Sequence, residues 1–182
     1  MFVIAGIVVF FGIVSLLIYN GLVGKKNEVE NAWAGIDVQL TKRYDLIPNL
    51  VETVKQYMQH EKETLTNLTA MRAKAMGTSD PDKKVGIDNQ ISKGLGQIMV
   101  SVENYPDLKA SSNMSNLQKS LNEVEEQLAA SRRGFNAAVT AFNNGVQMFP
   151  SSIFANCLGY SRRELFITPE FKKKNIDIKS LF

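Results

Sequence analysis

The chain begins with a block of apolar residues and then settles into apolar positions at helical spacing. Residues 1–24, MFVIAGIVVFFGIVSLLIYNGLVG, hold no charged side chain, and from Phe2 to Tyr19 only two glycines and Ser15 interrupt the apolar run. As a helix that run measures roughly 27 Å at about 1.5 Å per residue, close to the ~30 Å hydrocarbon core of a bilayer. No Lys or Arg precedes it and no Ala-x-Ala follows it, which favours an uncleaved anchor over a removed signal peptide. Lys25 and Lys26 stand just past its end, so the positive-inside bias puts the N-terminus outside and the remainder in the cytoplasm of a single-pass cell-membrane protein.

Four helices are predicted beyond the anchor. The first continues from it, carries Leu22, Val29, Trp33, Ile36 and Leu40, and ends near Tyr44. The second follows Pro48 and sets Leu50, Val51, Val54, Tyr57, Met58, Leu65, Leu68 and Met71 on one broad side before MGTSDPD stops it. Ser79, Asp80 and Pro81 form a turn and a fresh N-cap for the third, which carries Ile91, Leu95, Ile98, Val102 and Tyr105 in steps of four and three. In the fourth, Met114, Leu117, Leu121, Val124, Leu128, Ser131, Phe135, Ala138, Phe142, Gly145 and Phe149 sustain a seven-residue repeat, the signature of coiled-coil-like packing. Ser115 with Gln118 reads as its capping box, and a stripe of Ala130, Gly134, Ala137 and Ala141 reads as the close approach of a second neighbour.

The stretch RYDLIPNL, residues 43–50, poses a conflict. Leu40, Tyr44, Ile47, Val51 and Val54 keep step across Pro48, as in one kinked helix. A continuous rod to Met76 would stand roughly 80 Å tall, however, and two short-looped helices could not cover both halves. Trp33, Ile36 and Leu40 would then forfeit about 1.5–3 kcal/mol each in water. A reversal at residues 45–48 is therefore the expectation, with Asp45 capping the new helix. The expected fold is all-α: an N-terminal transmembrane helix continuing into an antiparallel up-and-down four-helix bundle. Residues 1–24 form the anchor, 25–150 the bundle, and 151–182 a short amphipathic segment with a basic tail.

Composition narrows the chemistry. The 182 residues suit one domain, and the net charge of +3 equals the basic surplus of residues 161–182 alone, which leaves the body neutral and argues against a nucleic-acid groove. Cys157 is the one cysteine and His60 the one histidine, so neither a disulfide framework nor a zinc site is expected. Phosphate-binding glycine loops, a nucleophile elbow and Glu-x-x-His pairs are missing, so no catalytic, cofactor-binding or metal-binding residue is assigned and no cofactor is expected.

Two sets of polar residues stand out. Asp37, Arg43, Asp45 and Asn49 border the expected junction, while Arg132, Asn136 and Asn143 share one face of the fourth helix. Where they converge they form either a polar site or a network that fixes helix register, with Arg132 or Arg133 pairing a junction carboxylate. Ile153, Phe154 and Leu158 lie close together after a helix stop at Pro150, and either cap the bundle or contact membrane or partner. Phe171, Lys172, Lys173, Lys174 and Phe182 mix apolar with basic residues, a pattern suited to an interface with anionic headgroups.

Three stretches together resemble the LemA family of bacterial membrane-associated proteins: YNGLVGKKNEVENAWAGIDVQLTKRYDLIPNLVETVK with HEKETL after it, ENYPDLKAS, and RRGFNAAVTAFNNGVQMFPSSIFA. The resemblance implies an N-terminal span followed by a four-helix bundle and brings no catalytic residues with it. The functional expectation is a non-catalytic scaffold or adaptor, with the lipid bilayer, further copies of itself and other membrane proteins as partners. The alternative is a membrane-remodelling or lipid-binding protein acting through its basic tail. An enzyme, the third class, would need a polar pocket with perturbed titratable groups.

Overall fold

Pro48 lies inside a helix. A computed structural model describes residues 1–166, and in it α1 runs unbroken from Phe2 to Lys55, through the expected reversal at 45–48. It is followed by α2 (Lys62–Met76), α3 (Pro81–Val102), α4 (Pro106–Lys109), α5 (Ser112–Gln147) and α6 (Ser151–Cys157). No strand occurs among the described residues, and the fold is all-α.

Phase prevailed over the burial argument. Ile36, Leu40, Tyr44, Ile47, Leu50 and Val54 are all fully buried, so one stripe crosses the proline without a change of face. Burial did not suffer because α5, at 36 residues, is long enough to supply covering side chains along far more of α1 than a helix of ordinary length could. The reversal comes instead at residues 56–61, where the Tyr105 hydroxyl donates to Glu61 Oε2 at 3.2 Å.

The proline still removes a donor. Without an N–H at residue 48, the Tyr44 carbonyl loses its i+4 partner. Arg72 of α2 replaces it: Nε–H donates to the Tyr44 oxygen at 2.8 Å, while Nη2 lies 3.6 Å from Asp45 Oδ1. The fault in α1 is thus where α2 is fastened.

The chain divides into two compact units, and α1 and α5 each contribute to both. One unit is Gly35–Ala130. Here α1, α2, α3 and α5 alternate in direction. Arg72 of α2 meets Tyr44, Arg43 of α1 meets Asp88 of α3 and Glu125 of α5, and Gln118 of α5 meets Met99 of α3. Their shared interior holds the α1 stripe with Leu65 and Leu68, Ile91, Leu95 and Ile98, and Met114, Val124 and Leu128. Asp80 caps α3 as expected, accepting from the N–H groups of Asp82 and Lys83 at 3.1 and 3.3 Å, and those bonds, the one from Lys83 foremost, hold its carboxyl below the usual range. The cap of α5 is Ser111, whose hydroxyl accepts from the Met114 N–H at 3.1 Å, and not Ser115.

The other unit is Met1–Ala34 with Ser131–Phe182, described as far as Phe166. Val29 of α1 packs with Ala138, Val139 and Phe142 of α5, flanked by Ala32, Phe135, Val146 and Tyr160. Trp33 meets Phe135 edge to face at 5.9 Å. Gly145 lets α1 come close, since a Cβ there would lie 3.1 Å from a Leu22 methyl and 3.2 Å from Lys25 Cδ. The predicted small-residue stripe does not serve this purpose: Gly134 and Ala137 are exposed, as is Ala130 in the first unit.

Candidate functional site

The buried charges of Gly35–Ala130 sit on α1 and α3, with a partly exposed partner on α5. Arg43 on α1 is 7 % exposed and Asp88 on α3 only 2 %. Arg43 Nη1 donates to both Asp88 oxygens at 3.2 and 3.3 Å, and Nη2 lies 3.1 Å from Glu125 Oε2. One turn before Asp88, buried Lys84 pairs with Asp37 of α1. The Tyr44 hydroxyl lies beside Asp88. Burial first, and then the Asp88 charge, push its pKa above the ordinary phenol range, so it stays neutral. Each charge faces an opposite one across a helix boundary, an arrangement that fixes the rotation of α1 against α3 and α5.

A second constellation belongs to the other unit. After α6 the chain turns at Gly159, whose φ of 69° suits a residue without Cβ, and returns along α5 as an extended segment. Two asparagines hold it. Asn143 Nδ2 donates to the Arg163 carbonyl at 2.9 Å and its Oδ1 accepts from the Arg163 N–H at 2.9 Å. Asn136 does the same for Phe166, at 3.0 and 2.7 Å. Seven residues apart on a helix, the two amides share a face; three apart on the segment, their targets match it in spacing. Each carboxamide treats main chain as a neighbouring strand would, so the pair grips backbone and ignores side-chain identity. Flanking contacts add grip: Tyr160 meets the Phe142 ring at 5.8 Å, the Arg163 guanidinium lies 5.6 Å from that ring and 3.6 Å from Glu30, and Arg132 lies 4.9 Å over Phe166.

Replacing Asn143 by Ala is expected to raise amide exchange at Arg163 severalfold, an opening free-energy change of about 1 kcal/mol for two lost hydrogen bonds partly replaced by water. Hydrogen exchange read by mass spectrometry checks it, and unchanged protection at Arg163 would mean the ring contacts suffice.

The sequence-predicted residues therefore fall into separate neighbourhoods. Asp37 joins Lys84, Arg43 joins Asp88 and Glu125, Asp45 joins Arg72, and Asn49 is exposed. Arg132, Asn136 and Asn143 do share a face, and it holds residues 163–166. Ile153 and Leu158 are exposed and Phe154 is half-buried; Phe171, Lys172, Lys173, Lys174 and Phe182 lie outside the described residues. Sequence reasoning missed Lys84, Asp88, Glu125 and Arg72. For the first two a signal existed: continuing the steps of three and four back from Ile98, Leu95 and Ile91 lands on Asp88 and Lys84, charges in the apolar seam. Among the described residues no group of three or more His, Cys, Asp or Glu could hold a metal ion.

Residues 32–179 match the LemA family. The chain is 27 % identical over 164 residues to Protein LemA of Metamycoplasma hominis, a match covering 89 % of this chain and 74 % of that one. It is 22 % identical over 177 residues to Magnetosome protein MamQ of Magnetospirillum gryphiswaldense, and 23 % identical over 177 residues to Magnetosome protein MamQ 2 of Paramagnetospirillum magneticum. Those two matches cover 83 % of this chain but 65 % of each magnetosome protein, so the chain spans less than two thirds of their length.

Proposed function

The chain belongs to the LemA family, and from that premise we propose that it is a membrane-anchored, non-catalytic scaffold or adaptor that works through helical protein contacts and assembles with copies of itself. The observation that carries this reading is the start of α1. Its apolar window is long enough to cross a membrane and none of it is buried, with Phe2, Ile4, Phe10 and Leu17 all exposed. A core helix of a water-soluble protein would bury such side chains. Removal as a signal sequence fits poorly, because a cut near Gly24 would strip away Leu22, which is buried against Gly145. The charged groups inside Gly35–Ala130 are engaged with one another, which suits a role in holding helices in register more than one in chemistry. The two lysines after the apolar run favour a cytoplasmic bundle.

Deleting residues 2–19 is expected to move the protein from carbonate-washed membranes to the soluble fraction, and native mass spectrometry of the full chain in detergent is expected to show a homo-oligomer. A deletion product still embedded in membrane would sink the anchor; a monomer under every mild condition would sink self-assembly.

A further inference from the structure

Three large apolar side chains are exposed where α5 gives way to α6: Met148 is 62 % exposed, Phe149 81 % and Ile153 55 %. Their position along α1 can be read from the packing. Trp33 meets Phe135, Val29 packs with Val139, and Leu22 and Lys25 close on Gly145, so each residue forward on α5 is one residue back on α1. Three and four residues past Gly145, Met148 and Phe149 therefore fall level with Asn20 and Tyr19, where the apolar run of α1 ends. The corner is also held firmly, since Ala155 of α6 is fully buried and Tyr160 returns to the Phe142 ring.

We propose that this corner, Met148, Phe149 and Ile153, inserts into the lipid surface beside the anchor as a second contact with the bilayer. The inference rests on the reading of residues 2–19 as a membrane span. Lipid is the occupant that the register favours, because the corner continues, at the same height, an apolar helix whose crossing window is wholly exposed. Bulky apolar side chains at the junction of acyl chains and headgroups lose their contact with water while the neighbouring backbone stays hydrated. Lys25 and Lys26, the first charged residues outward on α1, stand where phosphate groups would meet them.

Trp33 is the chain's one tryptophan, so a Trp33→Phe background makes the test clean. In that background Phe149→Trp and, separately, Phe10→Trp are reconstituted as full-length protein into phosphatidylcholine vesicles whose acyl chains carry a spin label either near the headgroup or near the bilayer centre. The expected result is that the shallow label quenches Phe149→Trp at least about twofold more than the deep one, with the order reversed for Phe10→Trp. Quenching of Phe10→Trp alone would overturn the corner contact and leave the anchor standing, with the corner in water or against another copy. Quenching of neither would overturn both. Ile153→Trp serves in the same way if Phe149→Trp loses its helical circular dichroism.

Discussion

Asp88→Ala is expected to lower the unfolding free energy by about 3–5 kcal/mol, among the largest effects available to a single substitution in this chain. The carboxylate is 2 % exposed and accepts both bonds from Arg43 Nη1. Its removal leaves a guanidinium that is almost out of water with Glu125 as its remaining charged partner named above, and that carboxylate is itself about half exposed. Asp88→Asn keeps the shape but loses the charge, and should fall between the two. The decisive comparison is the pair Arg43→Met with Asp88→Leu. If the ions serve chiefly to set helix rotation, replacing both with apolar groups of similar volume should recover most of the loss, because the desolvation cost disappears with the charges. Denaturant titration in detergent, followed by helical circular dichroism, measures all three variants. A loss below about 1 kcal/mol for Asp88→Ala would mean that water reaches Arg43 readily.

Arg72→Ala is expected to cost about 1–3 kcal/mol, and Pro48→Ala should abolish most of that cost. The reasoning is local. Pro48 offers no N–H to the Tyr44 carbonyl, and the Arg72 Nε–H takes that place at 2.8 Å. Alanine at 48 restores the ordinary i+4 donor, so the arginine is no longer required there. Loss of the half-exposed pair between Arg72 and Asp45 adds little in either background. A double-mutant cycle over the two positions should therefore show strong coupling, with the double variant less destabilised than the sum of the two single changes, the same sign that two partners in a bond give. Strict additivity would mean that Arg72 matters only through its alkyl packing.

Much of the fold was legible because it follows from spacing. The apolar block became the exposed start of α1, the cap at Asp80 formed, and the α3 seam and most of the long α5 repeat became buried or half-buried positions. The reversal was misplaced for an identifiable reason. Whether a proline ends a helix depends on what serves the carbonyl four residues before it, and the group that serves it here lies far along the chain on α2. Helix periodicity carries no information about that side chain. The candidate sites divide in the same way. Asn136 and Asn143 were visible as one face of α5, but what they hold is an extended segment, and a run such as YSRRELF shows no pattern that would announce it. Arg43 was visible, and its partner Asp88 was overlooked because the α3 seam was read forward from Ile91 and not backward into charged positions.

The packing of Val29 and Trp33 against Val139 and Phe135 has a bearing on biosynthesis. A ribosome makes these partners about a hundred residues apart. While the residues between them are being translated, the newly made α1 must keep its sticky side waiting without its eventual cover. Only when α5 has emerged can that side be closed, which makes the interval a window for chaperones and proteases, and makes products truncated before α5 natural targets for clearance.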